Sequence, residues 1–195
     1  YSDVMCPWCI IGYNQLQKGL ETLKGEIEAE VRWLPFELNP DMPPGGQEVI
    51  EHLTQKYGMP EDQIRQNQAN IRERAAAVGF QFHPEGRKHV YNTFDSHRLL
   101  HWALEEYGTQ EQYRLKRELL TTYFTLAVDL DDQANLIDAV KRAGLDTVRA
   151  QQILSSTEFT DAVRARQRTY IGMGINSVPS LIFNEKYLLQ GAQPA

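Results

Sequence analysis

Strand signals in this chain sit near its two ends, and from residue 47 to about 171 one helical pattern follows another. Strands that do not alternate with helices argue against a doubly wound sheet, and the order β-α-β, helices, β-β predicts an α/β fold in which a small mixed sheet is interrupted by a large helical insertion. Tyr1 to Met5 read as the end of a strand. Leu16, Leu20 and Leu23 recur at intervals of four and three, which predicts a helix from near Cys6 to Lys24. Val31, Trp33, Phe36 and Leu38 mark a second strand, with Pro35 placing it at an edge or a bulge. The turn-rich stretch from Asn39 to Gly46 leads out of this unit. The predicted division is residues 1–40 with 172–195 for the sheet-bearing part, and 41–171 for the helical insertion.

Within the insertion, helices are predicted over 48–57, 61–78, 96–107, 110–128, 132–143, 146–154 and 158–171, and Phe80-Gln81-Phe82 is the one strand-like stretch. Gly58, Gly79, Gly108, Gly144 and Gly172 follow periodic runs as C-terminal turns. Ser155 and Glu158 have the spacing of a capping box. Beyond them, Ser180 to Phe183 and Tyr187 to Gln190 predict a hairpin around Asn184-Glu185-Lys186, preceded by Val178-Pro179. Ala192 to Ala195 lead towards a terminal helix.

The chemistry lies in the only two cysteines, which stand three apart in Cys6-Pro7-Trp8-Cys9. Random placement gives that spacing about 1 time in 100. Pro7 suits a first helical turn, which puts Cys6 at a helix N-terminus, where unpaired N–H groups favour a thiolate. The expectation is a lowered Cys6 pKa, Cys6 as nucleophile and Cys9 as the resolving thiol one turn further in. Pro7 removes one N–H, so Cys6 relies on those of Trp8 and Cys9. Trp8 is placed to cover the sulfur or dock substrate. The bland alternative is a pair of inert buried thiols.

Glu37, in the second strand, is a candidate acceptor for the Cys9 proton, with a solvated strand carboxylate as the alternative. His97 and His101 stand four apart on a predicted helix and with the cysteines would make a zinc set, but 87 residues separate Cys9 from His97, and no metal is assigned.

A formal net charge of -6 and a pI near 5.4 disfavour nucleic acid, and no apolar run approaches the roughly 20 residues that cross a bilayer. One C-x-x-C pair is not a secreted disulfide framework, and the compartment assigned is cytoplasmic, although a chain starting at Tyr1 leaves a removed leader open.

The CPWC motif after a strand, the helical insertion, and Ser177-Val178-Pro179 before a hairpin resemble the DsbA-like thioredoxin family. Trp33 to Pro40 (WLPFELNP), Asn92 to Ala103 (NTFDSHRLLHWA) and Phe183 to Pro194 (FNEKYLLQGAQP) resemble its FrnE-like subgroup, named for a polyketide cluster. The resemblance implies a thioredoxin-like fold with an inserted helical domain, and protein disulfide oxidoreductase or isomerase activity on protein thiols and disulfides. It implies no bound cofactor, with glutathione admissible as an exchange partner. It also implies a cis Val178-Pro179 peptide facing the cysteines, where the Val178 backbone would pair with an extended substrate and Pro179 would shape the groove. Glutathione-dependent relatives use an asparagine of the inserted domain, which points to Asn92, with His97, as lining the cleft. That relationship supplies a second reading, a glutathione-dependent isomerase of a small aromatic or polyketide-like molecule. Such enzymes carry serine where Cys6 stands, and this chain departs from them by having both cysteines. A third reading is a peptide-binding chaperone with incidental thiols, its groove built from Trp8, Trp33, Phe94 and Trp102.

Overall fold

Pro7 opens α1 (Pro7–Thr22), whose buried face is Cys9, Ile10, Ile11 and Tyr13 near its N-terminal end. The structure, a computed structural model, describes residues 1–195 throughout. After α1 the order is β1 (Gln47–Glu48), α2 (Val49–Tyr57), α3 (Glu61–Ala77), β2 (His89–Val90), α4 (Phe94–Tyr107) and α5 (Thr109–Leu120). A π-helical turn (Thr121–Thr125), α6 (Gln133–Arg142), α7 (Thr147–Leu154) and α8 (Thr160–Gly172) follow. The hairpin of β3 (Ser180–Phe183) and β4 (Tyr187–Gln190) comes last, in the register Ser180↔Gln190 to Phe183↔Tyr187.

The sheet layer is thin. Ser2 N–H donates to Leu34 O (3.1 Å) and Phe36 N–H to Ser2 O (3.2 Å), a parallel pairing, while Ser180 N–H donates to Tyr1 O (3.1 Å). In space the extended segments therefore run 34–36, 1–2, β3, β4, a mixed arrangement. Residues 31–38 make no long ladder, for two reasons. Pro35 has no N–H to give, and α5 lends a side chain to the outer edge. Gln112 accepts from Trp33 N–H (2.9 Å) and donates to Trp33 O (2.8 Å), imitating a neighbouring strand. A free edge that invites pairing with another chain is closed in this way.

Helices α4 to α7 enclose the main core, built on Leu99, Trp102, Leu115, Leu119, Tyr123, Leu136 and Ile153, and the same cluster takes in Val4, Met5 and Ile10 from the sheet side. Each such side chain contributes about 1.5–3 kcal/mol by burial. The segment bearing the cysteines is thereby fixed to the helices by continuous apolar packing.

Several local expectations are corrected. Phe80-Gln81-Phe82 forms no strand; Phe82 instead stacks on Phe124 at 4.5 Å between ring centroids. A two-residue ladder joins β1 and β2, short enough to leave no readable alternation. It requires Gly46, since a Cβ there would meet Val90 O at 2.2 Å. The capping box does not form. Ser155 Oγ donates to Gln151 O (2.7 Å) at the end of α7, and Glu158 pairs with Arg149. Gly172 lies inside α8, and Gly174, at φ 73°, makes the turn.

Candidate active site

The extended segment around Ser2 turns at Val4 and Met5 into α1, so Cys6 becomes the helix N-cap with Pro7 as the first helical residue. Both cysteines are free thiols, 3% and 1% exposed. Across from them the Val178–Pro179 peptide bond is cis, and Cys6 Sγ lies 3.6 Å from Val178 O. Gly12 lets α1 approach this corner: a Cβ there would stand 3.3 Å from Pro179 Cγ and from Ala192 Cβ. Trp8 is the exposed member of the motif, at 36%, with the Arg74 guanidinium 5.8 Å from its ring centroid.

Beneath the thiols lies a polar floor. Asp3 is fully buried; its Oδ2 accepts from Leu38 N–H (2.7 Å) and its Oδ1 faces His97 Nε2 at 3.4 Å. His97 Nε2 also lies 3.0 Å from Phe36 O, which holds the imidazole in place between strand and carboxylate. Lys116 reaches in from α5, fully buried, with no hydrogen-bond acceptor for its ammonium and the Trp33 ring 5.2 Å away. A buried cation without a hydrogen-bonded partner is expensive, and such groups mark candidate functional sites.

The thiols respond to these neighbours. Burial pushes the Cys6 thiol well up, and the hydrogen bond to Cys9 pushes it further. Burial also acts on Cys9, but the Cys6 thiol donating to it and the Lys116 ammonium hold it below its ordinary value. When the buried pair ionises, its first negative charge is therefore placed towards Cys9. This corrects the expectation of a lowered Cys6 pKa. The helix-end argument leaves out desolvation, and desolvation is the largest influence at a sulfur 3% exposed. Asp3 stays below the usual carboxylate value although burial opposes it, because His97 and the Leu38 N–H favour the charged form. Burial lowers Lys116, countered by the charges of Cys9, Asp3 and Cys6.

Other expected residues fall elsewhere. Glu37 does not join the thiols: its Oε2 accepts from Arg164 (2.5 Å) and Gln167 (2.6 Å), which ties the second strand to α8. Asn92 Oδ1 accepts from Phe94 N–H (2.8 Å) and its Nδ2 donates to Pro40 O (3.2 Å), so it fixes the start of α4. His97, buried on both sides, orients Asp3 and presents no surface to a substrate. His101 packs edge-on against Phe159, and no group of three His, Cys, Asp or Glu is placed to hold a metal. Trp102 is completely buried in the core, so the four aromatics form no common groove.

Sequence reasoning missed Asp3 and Lys116, and each left a trace. Asp3 is the one charged side chain of the segment Tyr1 to Met5, three residues before Cys6. Lys116 falls on the stripe Gln112, Leu115, Leu119, where helical spacing predicts a buried side chain.

Comparison with known proteins agrees with this geometry. A family model described as the DSBA-like thioredoxin domain matches residues 1–195. YwbO of Bacillus subtilis is 26% identical over 187 residues, which cover 95% of this chain and 85% of that protein. The crystal structure of a probable DsbA oxidoreductase from Streptomyces coelicolor superposes with a TM-score of 0.91 at 32% identity, over 99% of this chain and 82% of its own. A 2-hydroxychromene-2-carboxylate isomerase shares the fold, with a TM-score of 0.69 at 13% identity over 98% and 87% of the two chains. No helix is long and apolar enough to cross a membrane.

Proposed function

The chain belongs to the DSBA-like thioredoxin domain family, and from that premise we propose that it is a thiol-disulfide oxidoreductase acting on protein substrates through Cys6 and Cys9. The observation that carries this reading is a pair of thiols in contact with each other at a helix start, one beside an accessible backbone corner and the other against a buried cation.

In the oxidising direction, a substrate thiolate attacks Cys6 Sγ of the Cys6–Cys9 disulfide. A substrate–Cys6 disulfide forms and Cys9 leaves as a thiolate. The lower the leaving thiol's pKa, the faster this step, and the Lys116 charge favours that thiolate. A second substrate thiolate then attacks the substrate sulfur, Cys6 departs, and the enzyme takes up a proton as the reduced pair. In reverse, the Cys9 thiolate displaces the substrate from Cys6. Val178, its carbonyl facing Cys6, offers backbone groups to an extended polypeptide beside the sulfur. Pro179 forms the wall of that corner and Trp8 its rim. Glutathione serves as an exchange partner that sets the resting state.

The test is a titration against glutathione redox buffers, read by thiol alkylation mass and by tryptophan fluorescence. A single two-electron transition is the expected result. Its midpoint distinguishes an oxidant, near the roughly -120 mV of DsbA, from a reductase or isomerase at or below the glutathione poise. Absence of a reversible disulfide across that range would sink the reading.

A further inference from the structure

Beside the dithiol lies a small cleft bounded by Pro7, Gln68, Arg72, Phe82, Arg87 and Phe124, with a volume of about 30 Å³. At about 10–15 Å³ for each water-sized group, it holds two oxygen-sized atoms. Its polar walls are donors. Gln68 and Arg72 come from α3, and Arg87 from the loop before β2. Gln68 Nε2 and Arg87 Nε are buried and find no acceptor in the protein, a condition that native structures avoid unless something else serves it.

The arginines around the motif are also electrostatically unspent. Arg72, Arg74 and Arg87 take part in no ion pair, although the chain carries 26 acids against 20 lysines and arginines. Glu85, in the same loop as Arg87, is engaged by Lys88 at 3.9 Å. Arg87 is not free to swing to a distant acid. Its guanidinium lies 5.4 Å from the centroids of both Tyr123 and Phe124, and its Nη1 donates to Met5 O (3.5 Å), next to Cys6. Arg74 lies over Trp8. A net-negative molecule thus places a fixed cationic rim on one side of its reactive motif.

We propose that this cleft is a carboxylate-binding subsite that selects polypeptide substrates with an acidic residue beside the reacting cysteine. A carboxylate has two oxygens, which the volume admits, and a planar acceptor geometry that guanidinium groups match. Arg72 and Arg87 supply charge, Gln68 and the orphaned Arg87 Nε supply hydrogen bonds, and the contact fixes the register of the substrate sulfur over Cys6. This rests on the exchange reaction proposed above and adds its substrate preference.

The experiment uses the oxidised protein and two reduced peptides, alike except for Glu or Gln next to one cysteine, with reaction followed by stopped-flow tryptophan fluorescence. Each rate is divided by the same peptide's rate with a small aromatic disulfide, which removes the effect of Glu on its own thiol. The expected ratio favours the Glu peptide by about three- to tenfold at low salt and shrinks as salt is added. Arg72→Gln brings the ratio to about one, while Arg117→Gln, a control on α5, leaves it in place. Arg72 is the lead variant because Arg87 packs on two rings; Arg87→Gln is the second and must act in the same direction. If both peptides oxidise at equal normalised rates, or if neither variant moves the ratio, the subsite is wrong and the exchange reaction stands. If neither peptide is oxidised, the exchange reaction itself fails. A preference seen only between glutathione and its carboxyl-blocked diester would overturn the peptide assignment in favour of a small anionic thiol.

Discussion

Two buried carboxylates come from neighbouring strands and end in opposite circumstances. Glu37 meets Arg164 and Gln167, and its charge is answered by a guanidinium and an amide. Asp3 accepts from a backbone N–H, faces an imidazole at 3.4 Å and feels the charge of the Lys116 ammonium, which has no hydrogen bond of its own. The first cluster answers its charge within the fold through Glu37 Oε2, although Oε1 is buried without a partner, and it locks α8 to the sheet. The second is open to the thiols above it, so its electrostatic energy changes when a proton or a disulfide bond changes there. Burial of charge is common to both; what separates structural from chemical use is whether a neighbour changes charge state during the reaction.

The largest effect tests whether Cys9 is that neighbour. Cys9→Ala leaves Cys6 able to form mixed disulfides and removes the thiol that resolves them from the enzyme side, so turnover falls to background and substrate proteins accumulate on Cys6, visible on non-reducing gels. Capture of no protein would remove protein thiols as substrates. Cys6→Ala, lacking the attacked sulfur, is expected to capture none.

Next in size are opposite displacements at the two charges of the floor. The Lys116 charge lowers Cys9 and the Asp3 carboxylate charge raises it, while the hydrogen bond from the Asp3 backbone is untouched by a side-chain change, so the signs can be worked out. Lys116→Met removes a stabiliser of the Cys9 thiolate, disfavours the reduced state and makes the protein a weaker oxidant. Asp3→Asn removes a destabiliser of the same thiolate and makes it a stronger one. A shift of about tenfold in the glutathione exchange constant, about 30 mV, is expected in each case. Shifts in the same direction would break the contrast drawn here.

The acid limb of stability sharpens the same comparison. Asp3 is held below its ordinary value of 3.8, so its contribution is fully present above that pH and is lost as pH falls through the lower folded value. Denaturant titrations below about pH 4 should therefore show a steeper loss for the native chain than for Asp3→Asn. Parallel curves would mean that Asp3 is not charge-stabilised in the folded state.

Much of this architecture was legible from periodicity and punctuation, because long helices repeat their pattern many times. The ends of α2, α3 and α7 fall within a residue or two of their expected positions. The thiol pair was visible because its chemistry depends on residue type at fixed spacing, whereas the cis Val178–Pro179 corner was expected only through the family resemblance. What the pattern could not carry was pairing across distance. Gln112 serving as a strand edge for Trp33, Lys116 crossing from α5 to the thiols, and Glu37 finding Arg164 join positions 79, 107 and 127 residues apart, and nothing local announces them. Sequence alone points to Glu37 as the acid beneath the cysteines and passes over Asp3. Only the fold shows which of them has its charge spent elsewhere.

Glu37→Gln is therefore the variant with the smallest expected effect on exchange, and its value lies in that small effect. The amide keeps an oxygen for Gln167 or Arg164 and loses the charge, and Arg164 is partly open to water, so the guanidinium can rehydrate. A loss of about 1–2 kcal/mol in unfolding free energy is expected, in line with a hydrogen bond to a charged group at a half-open site. The glutathione midpoint and the rate of mixed-disulfide resolution should match those of the native chain. If resolution slows while stability is unchanged, Glu37 takes the Cys9 proton after all. Because the two carboxylates share strand type and burial, this null result, set beside the displaced potential of Asp3→Asn, separates a charge that holds the fold from one that works in it.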